Sequence, residues 1–174
     1  GLTADHGMNA KTLDDGSPKV QFIETQLVEK GIAEARVILP ITDPYVVHHG
    51  ALGSYATVYV DDAHVEKAAT ILHTIPGVEK VLTRAEAAAT YQLPADRIGE
   101  LVVLADRHTV LGRTPEWHDL ADVEKGLRSH GGLHEGVVPM IFNQPLRDDY
   151  AQHLASGKAH NWDLFDFLCN GVID

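Results

Sequence analysis

The sequence predicts an α/β protein that carries an inserted α+β unit. Three observations predict it. Short apolar runs of strand length alternate with stretches whose apolar residues recur at helical spacing. Between about 35 and 118 the order becomes strand, strand, helix, strand, helix, strand, strand, which suits a compact α+β unit better than a step in a doubly wound sheet. After that stretch the pattern changes again, to polar glycine-rich loops around a continuous apolar run. The expected division is a core segment over 1–34, an inserted α+β cap subdomain over 35–118 and a second core segment over 119–174.

Each element has a local cause. Ser17-Pro18 offers an N-cap with proline in the first turn. Val20, Ile23 and Leu27 recur at helical spacing, and Gly31 stands where a C-terminal cap would, so a helix is predicted over 18–30. Its residues Glu24, Glu29 and Lys30 read as a solvated face. Arg36 to Ile41 reads as a strand, 42–52 as a loop, and Gly53 to Val60, rich in β-branched and aromatic residues, as a second strand. Asp61-Asp62 can cap a helix whose apolar face is Val65, Ala68, Ala69 and Leu72, and Pro76-Gly77 ends it. Val78 to Leu82 is a strand. Thr83-Arg84-Ala85-Glu86 has the form of a capping box before an alanine-rich helix. Ile98 to Ala105 and Thr109 to Leu111 are strands joined by a turn at Asp106-Arg107-His108. Val137 to Phe142 reads as a strand buried on both faces. Asn161 can cap a last helix, with Trp162, Phe165, Leu168 and Cys169 on its buried side.

Composition narrows the function classes. At 174 residues, 44% apolar and 22% charged, the chain suits a soluble globular domain, and no apolar run reaches the ~20 residues that span a bilayer. A formal net charge of −11 argues against bulk attraction to nucleic acid or anionic lipid. An anionic substrate would need local positive charge at its site. The single cysteine, Cys169, rules out an internal disulfide. Eleven histidines make metal or acid–base chemistry worth testing.

The chemistry-bearing candidates are few. In Thr3-Ala4-Asp5-His6-Gly7-Met8-Asn9, Asp5 and His6 are both good ligands for a divalent ion. Adjacent strand residues point to opposite faces, so the two share one ion only where the strand ends and the backbone turns, and Gly7 permits that turn. The bland alternative is an ordinary surface Asp-His pair. Ser129-His130-Gly131-Gly132 places a histidine where the backbone can come close to a ligand, or in a plain flexible loop. His48-His49 could touch a substrate or be solvated. Lys11, Arg107 and Arg128 are candidate anion contacts. His64, His73, His134, His153 and His160 show no arrangement that singles them out.

Together these segments resemble the alkaline phosphatase superfamily. Thr3-Ala4-Asp5-His6-Gly7-Met8 is similar to its metal-binding motif. Ser129-His130-Gly131-Gly132, followed by Val138-Pro139-Met140-Ile141-Phe142-Asn143, is similar to its late histidine motif and the next core strand. The stretch Val37 to Ser54 and the stretch Asp96 to Val103 resemble the phosphonoacetate hydrolase branch specifically. The resemblance implies part of an alkaline-phosphatase-like core sheet with a cap, and two zinc ions per complete active site. It implies that Asp5 and His6 hold one zinc and that His130 helps hold the other. It implies a threonine nucleophile that splits the carbon–phosphorus bond of phosphonoacetate into acetate and phosphate, in a bacterial, cytoplasmic enzyme.

Only Leu2 and Ala4 represent an apolar strand before Asp5, so the chain reads as the C-terminal portion of a longer protein. The nucleophile and about half of the metal ligands are then expected upstream, no catalytic or substrate-binding residue is assigned within this chain, and the chain alone is expected to be inert. Its expected partners are the missing N-terminal half and a small anionic substrate, with a homodimer as an alternative pairing and with no nucleic acid and no membrane. Two other readings remain: a phosphodiesterase or nucleotide pyrophosphatase of the same superfamily, and a non-catalytic ligand-binding module.

Overall fold

The structure, a computed structural model, describes residues 1–41, 51–121, 123 and 125–173. His48 and His49 fall outside the described residues. In chain order the elements are β1 (Leu2–Thr3), β2 (Asn9–Ala10), β3 (Val20–Phe22), α1 (Ile23–Glu29), β4 (Arg36–Ile38), β5 (Tyr55–Tyr59), α2 (Val65–His73), β6 (Val78–Thr83), α3 (Arg84–Tyr91), β7 (Leu101–Ala105), β8 (Val110–Gly112), β9 (Arg128–Ser129), β10 (Met140–Ile141), α4 (Asp148–Ala155) and α5 (Leu164–Asp166). Among the described residues no helix is long and apolar enough to cross a membrane. The elements form two compact units, Met8–His134 and a second built from Gly1–Gly7 with Glu135–Asp174.

The larger unit is organised by an antiparallel sheet in the order β4-β5-β7-β6. All five residues of β7 are buried, because helices cover both sheet faces. Alternation along the strand divides its side chains. Leu101, Val103 and Ala105 join Ile23 and Leu27 of α1 and Ala68 and Leu72 of α2 in one apolar cluster. Val102 joins Ala87 of α3 and Ile98 in another. Each fully buried Leu, Ile or Val contributes roughly 1.5–3 kcal/mol. The capping box is present: the Thr83 hydroxyl accepts from the Glu86 N–H at 3.3 Å, and the Glu86 carboxylate accepts from the Thr83 N–H at 2.8 Å.

The start of α1 departs from expectation. The helix begins at Ile23 because Val20–Phe22 pairs in parallel with β8 instead of coiling. Glu24 is also not on a solvated face. It is 9% exposed, accepts the Val37 N–H at 2.8 Å and receives the Arg113 guanidinium at 2.9 Å. Arg113 in turn lies over the Trp117 ring at 4.5 Å. A buried carboxylate needs such a partner to offset its lost hydration.

The smaller unit is held differently. Antiparallel β1 and β10 pair Leu2 with Ile141 and Thr3 with Met140. Phe167 is buried against Phe142, Tyr150 and His153, with ring centroids 5.5, 5.1 and 5.8 Å away. The doubly buried strand expected at Val137 to Phe142 is corrected here: Val137 is 93% exposed and only Met140–Ile141 pairs. Among the described residues of this unit one strand, β1, pairs with β10, and Ile141 is 54% exposed. The last helical stretch is corrected too. Trp162, Phe165 and Cys169 are exposed, and Phe167 is the residue that turns inward.

Candidate metal centre

The Asp5-His6-Gly7 turn follows β1 in the smaller unit and is fixed from both sides. The Thr3 hydroxyl donates to the Pro139 carbonyl at 2.8 Å, and the Gly7 N–H donates to the Glu135 carbonyl at 2.7 Å. A side chain at position 7 would crowd the Glu135 and Val137 carbonyl oxygens at 3.3 Å, so glycine allows this close approach. The His6 N–H donates to Asp5 Oδ1 at 3.0 Å, which orients the carboxylate.

His6 Nδ1 lies 2.8 Å from the Gly7 carbonyl oxygen. With Nδ1 protonated and donating there, Nε2 is the ring nitrogen with the lone pair of a metal ligand. Metal-binding histidines typically carry such a bond on the other ring nitrogen. Nε2 lies 3.7 Å from Asp5 Oδ2. Two ligands of one tetrahedral zinc, with bonds of about 2.0–2.1 Å, sit about 3.3 Å apart. A small closing movement of the exposed Asp5 therefore suffices, and the donor pair fits zinc. A cleft of about 800 Å³ opens beside Asp5, with Val137, Val138 and Met140 among its apolar lining and Lys158, His160 and Asn161 among its polar lining.

His130 lies in the larger unit, half-buried, directly after β9. β9 pairs with β2, placing Ser129 opposite Asn9. The Ser129 hydroxyl donates to the Leu52 carbonyl, and the His130 carbonyl accepts the Ser54 N–H at 2.9 Å. Gly131 follows at φ +96°, a conformation that glycine adopts readily. A cavity of about 90 Å³ adjoins this turn, lined by Ile41, Leu52, Tyr55 and His130 among others. Burial and the nearby Tyr59 push the Tyr55 phenol above its usual pKa.

The structure thus brings Asp5 and His6 together in one unit and places His130 in the other. The three candidate anion contacts fare differently. Lys11 is fully buried and donates to Ser54 Oγ at 2.7 Å and to the Arg107 carbonyl at 2.9 Å, so it is an internal tie and no contact for an incoming anion. Arg107 and Arg128 are exposed, and Arg128 donates to the Met8 carbonyl at 3.2 Å. His134 pairs with Glu79. Sequence reading missed a further grouping, Glu34, Asp61 and His64, whose ligand atoms lie within 4.8 Å of one another at the surface of the larger unit. The Glu34 N–H and the His64 imidazole hold the Glu34 carboxyl below its usual pKa. These residues are 27 and three positions apart, and no sequence spacing announces that they meet.

No protein-family model matches the chain. Solved structures do. Phosphonoacetate hydrolase from Sinorhizobium meliloti 1021, in its complex with phosphonoacetate, matches with a TM-score of 0.76 and 44% identity over 94% of this chain. Its complex with phosphonoformate matches equally well. Murine ectonucleotide pyrophosphatase/phosphodiesterase 5 gives a TM-score of 0.41 at 16% identity, too remote to inform function. The chain is thus an α/β protein with part of an alkaline-phosphatase-like fold. Within that class it is similar to phosphonoacetate hydrolase, and it spans 39% of that protein's length.

Proposed function

We propose that this chain is part of a longer polypeptide that hydrolyses the carbon–phosphorus bond of phosphonoacetate, giving acetate and phosphate at a two-zinc centre. The observation that carries the reading is the Asp5-His6-Gly7 turn, with its imidazole proton directed to a backbone carbonyl, in a chain 44% identical to phosphonoacetate hydrolase. Asp5 and His6 would hold one zinc, and His130 would contribute to the other. Bound zinc would neutralise charge on the phosphonate and lower the pKa of a coordinated hydroxyl.

The chain's own part is positioning. The Gly7 carbonyl holds the proton on His6 Nδ1, and the His6 N–H aims Asp5. With a net charge of −11 the surface repels an anion at long range, so local cations at the centre must overcome that repulsion. The threonine nucleophile and the remaining ligands belong to the part of the polypeptide outside this chain, which is its principal partner. The 35–118 segment would act as the cap, and the setting would be cytoplasmic.

The test compares the longer polypeptide with its Asp5→Asn and His130→Asn variants. The parent should bind two zincs per chain and turn over phosphonoacetate in preference to a nitrophenyl phosphodiester. Each variant should lose zinc and at least a hundredfold in kcat/KM. Unchanged zinc content in both variants would remove these residues from the centre. Preference for the diester would move the protein to the phosphodiesterase branch.

A further inference from the structure

We infer that Gly53, Ser54 and Lys11 form a cradle that sets the position of His130, and that they are positioning residues for the metal centre. This rests on the reading of His130 as a ligand. The Gly53-Ser54 pair closes the Val37 to Ser54 stretch.

Three contacts build the cradle. The Ser54 N–H donates to the His130 carbonyl at 2.9 Å. The Gly53 α-carbon packs so close that an added Cβ would lie 3.2 Å from that same oxygen. The Ser54 hydroxyl is fully buried, donates to the Thr109 carbonyl at 2.9 Å and accepts from Lys11 Nζ at 2.7 Å. Lys11 also ties the approach to His130 through its backbone, donating its N–H to the Leu127 carbonyl at 2.8 Å. The carbonyl of His130 and the two residues before it are therefore bonded to Ser54, Leu52 and β2.

The bond to the carbonyl holds the peptide plane after His130, the pairing of Ser129 with Asn9 holds the chain before it, and together they limit the direction in which the imidazole leaves the backbone. A ligand must be held to within about 0.5 Å of its working position. Gly131, at φ +96°, turns the chain directly after His130. A fully buried ammonium is a costly device, stable only when its protons are bonded. Here one of those bonds reaches the serine that holds His130.

The experiment uses Gly53→Ala and Lys11→Met in this chain, with the ring signals of His130 followed by NMR at one fixed pH. Both variants should shift the His130 ring signals. His73 and His153 should stay where they are, and circular dichroism should report a folded protein. In the longer polypeptide, Gly53→Ala should weaken zinc binding at least tenfold. Folded variants whose His130 signals overlay the parent's would overturn the cradle. If Lys11→Met does not fold, Gly53→Ala decides alone, since it removes no hydrogen bond. The His130→Asn variant separates the two ideas. Retained zinc there would remove His130 as a ligand while shifted ring signals still upheld the cradle. Lost zinc with unshifted signals would do the reverse.

Discussion

Gly99 has no room for a side chain: a Cβ there would lie 2.2 Å from the Val58 carbonyl oxygen. Its own N–H donates to the Thr57 hydroxyl. Gly99→Ala must therefore push β5 away, and it should destabilise the chain by about 1–3 kcal/mol, read as a lower urea midpoint with an unchanged slope. Asp106→Asn is not equivalent to it, because Asp106 is partly exposed beside Lys19 and its loss is cushioned by solvent. At this scale sequence reading gave mixed results. Asp5, His6 and Gly7 could be singled out because adjacency itself constrains their geometry. Glu24 and Cys169 were placed on the wrong side of the surface, and Lys11, a candidate anion contact, is buried. A charged residue is ordinarily expected outside, and distant partners, Arg113 and Ser54 among them, explain the two that are not. Those partners lie 89 and 43 residues away, beyond any local pattern.

The capping box of α3 is the clearest case of an element written in local sequence. Thr83 and Glu86 satisfy each other's N–H groups, so Thr83→Ala should cost about 1 kcal/mol at pH 7, measured by denaturant titration. The same device predicts a pH dependence. The Thr83 N–H and then its hydroxyl hold the Glu86 carboxyl below its usual value of 4.5. A depressed carboxylate stabilises the fold above 4.5 and loses that contribution as pH falls through the lower folded value. Glu86→Ala should therefore be less stable than the parent at pH 7, and the gap should narrow steadily below pH 4. A gap that stays constant down to pH 2 would show that the carboxylate charge has no part in the cap. The strands and helices between β4 and β8 were readable for the same reason, since each has its own caps, turns and alternation. Val20–Phe22 and Val137 to Phe142 were not. Both are short apolar runs whose conformation and exposure depend on a distant partner, β8 for one and β1 for the other.

The whole molecule divides unevenly. The larger unit contains almost all of the buried apolar side chains, whereas the smaller unit has Phe167 as its buried aromatic anchor. Opening free energy follows local burial, so stability should be uneven as well. Amides of α4 and of Phe167–Gly171 should exchange with deuterium at least a hundredfold faster than those of β5 and β7, as measured by mass spectrometry on peptides from each unit. Equal protection would mean that the two units open as one.

The two-part make-up of the smaller unit also bears on the order of folding. Its pairing of Leu2 with Ile141 joins residues 139 positions apart, and closing so long a loop from an open chain is slow. The larger unit removes most of that loop. Once β2 has met β9, Asn9 lies opposite Ser129 and the Asn9 amide reaches the His134 carbonyl, so the two ends of the 8–134 segment are already neighbours. Gly7 and Glu135 then need only a short search to find each other. The larger unit serves as its neighbour's folding clamp, and the Asp5-His6 turn is completed only after the segment from Glu135 to Ile141 has been made.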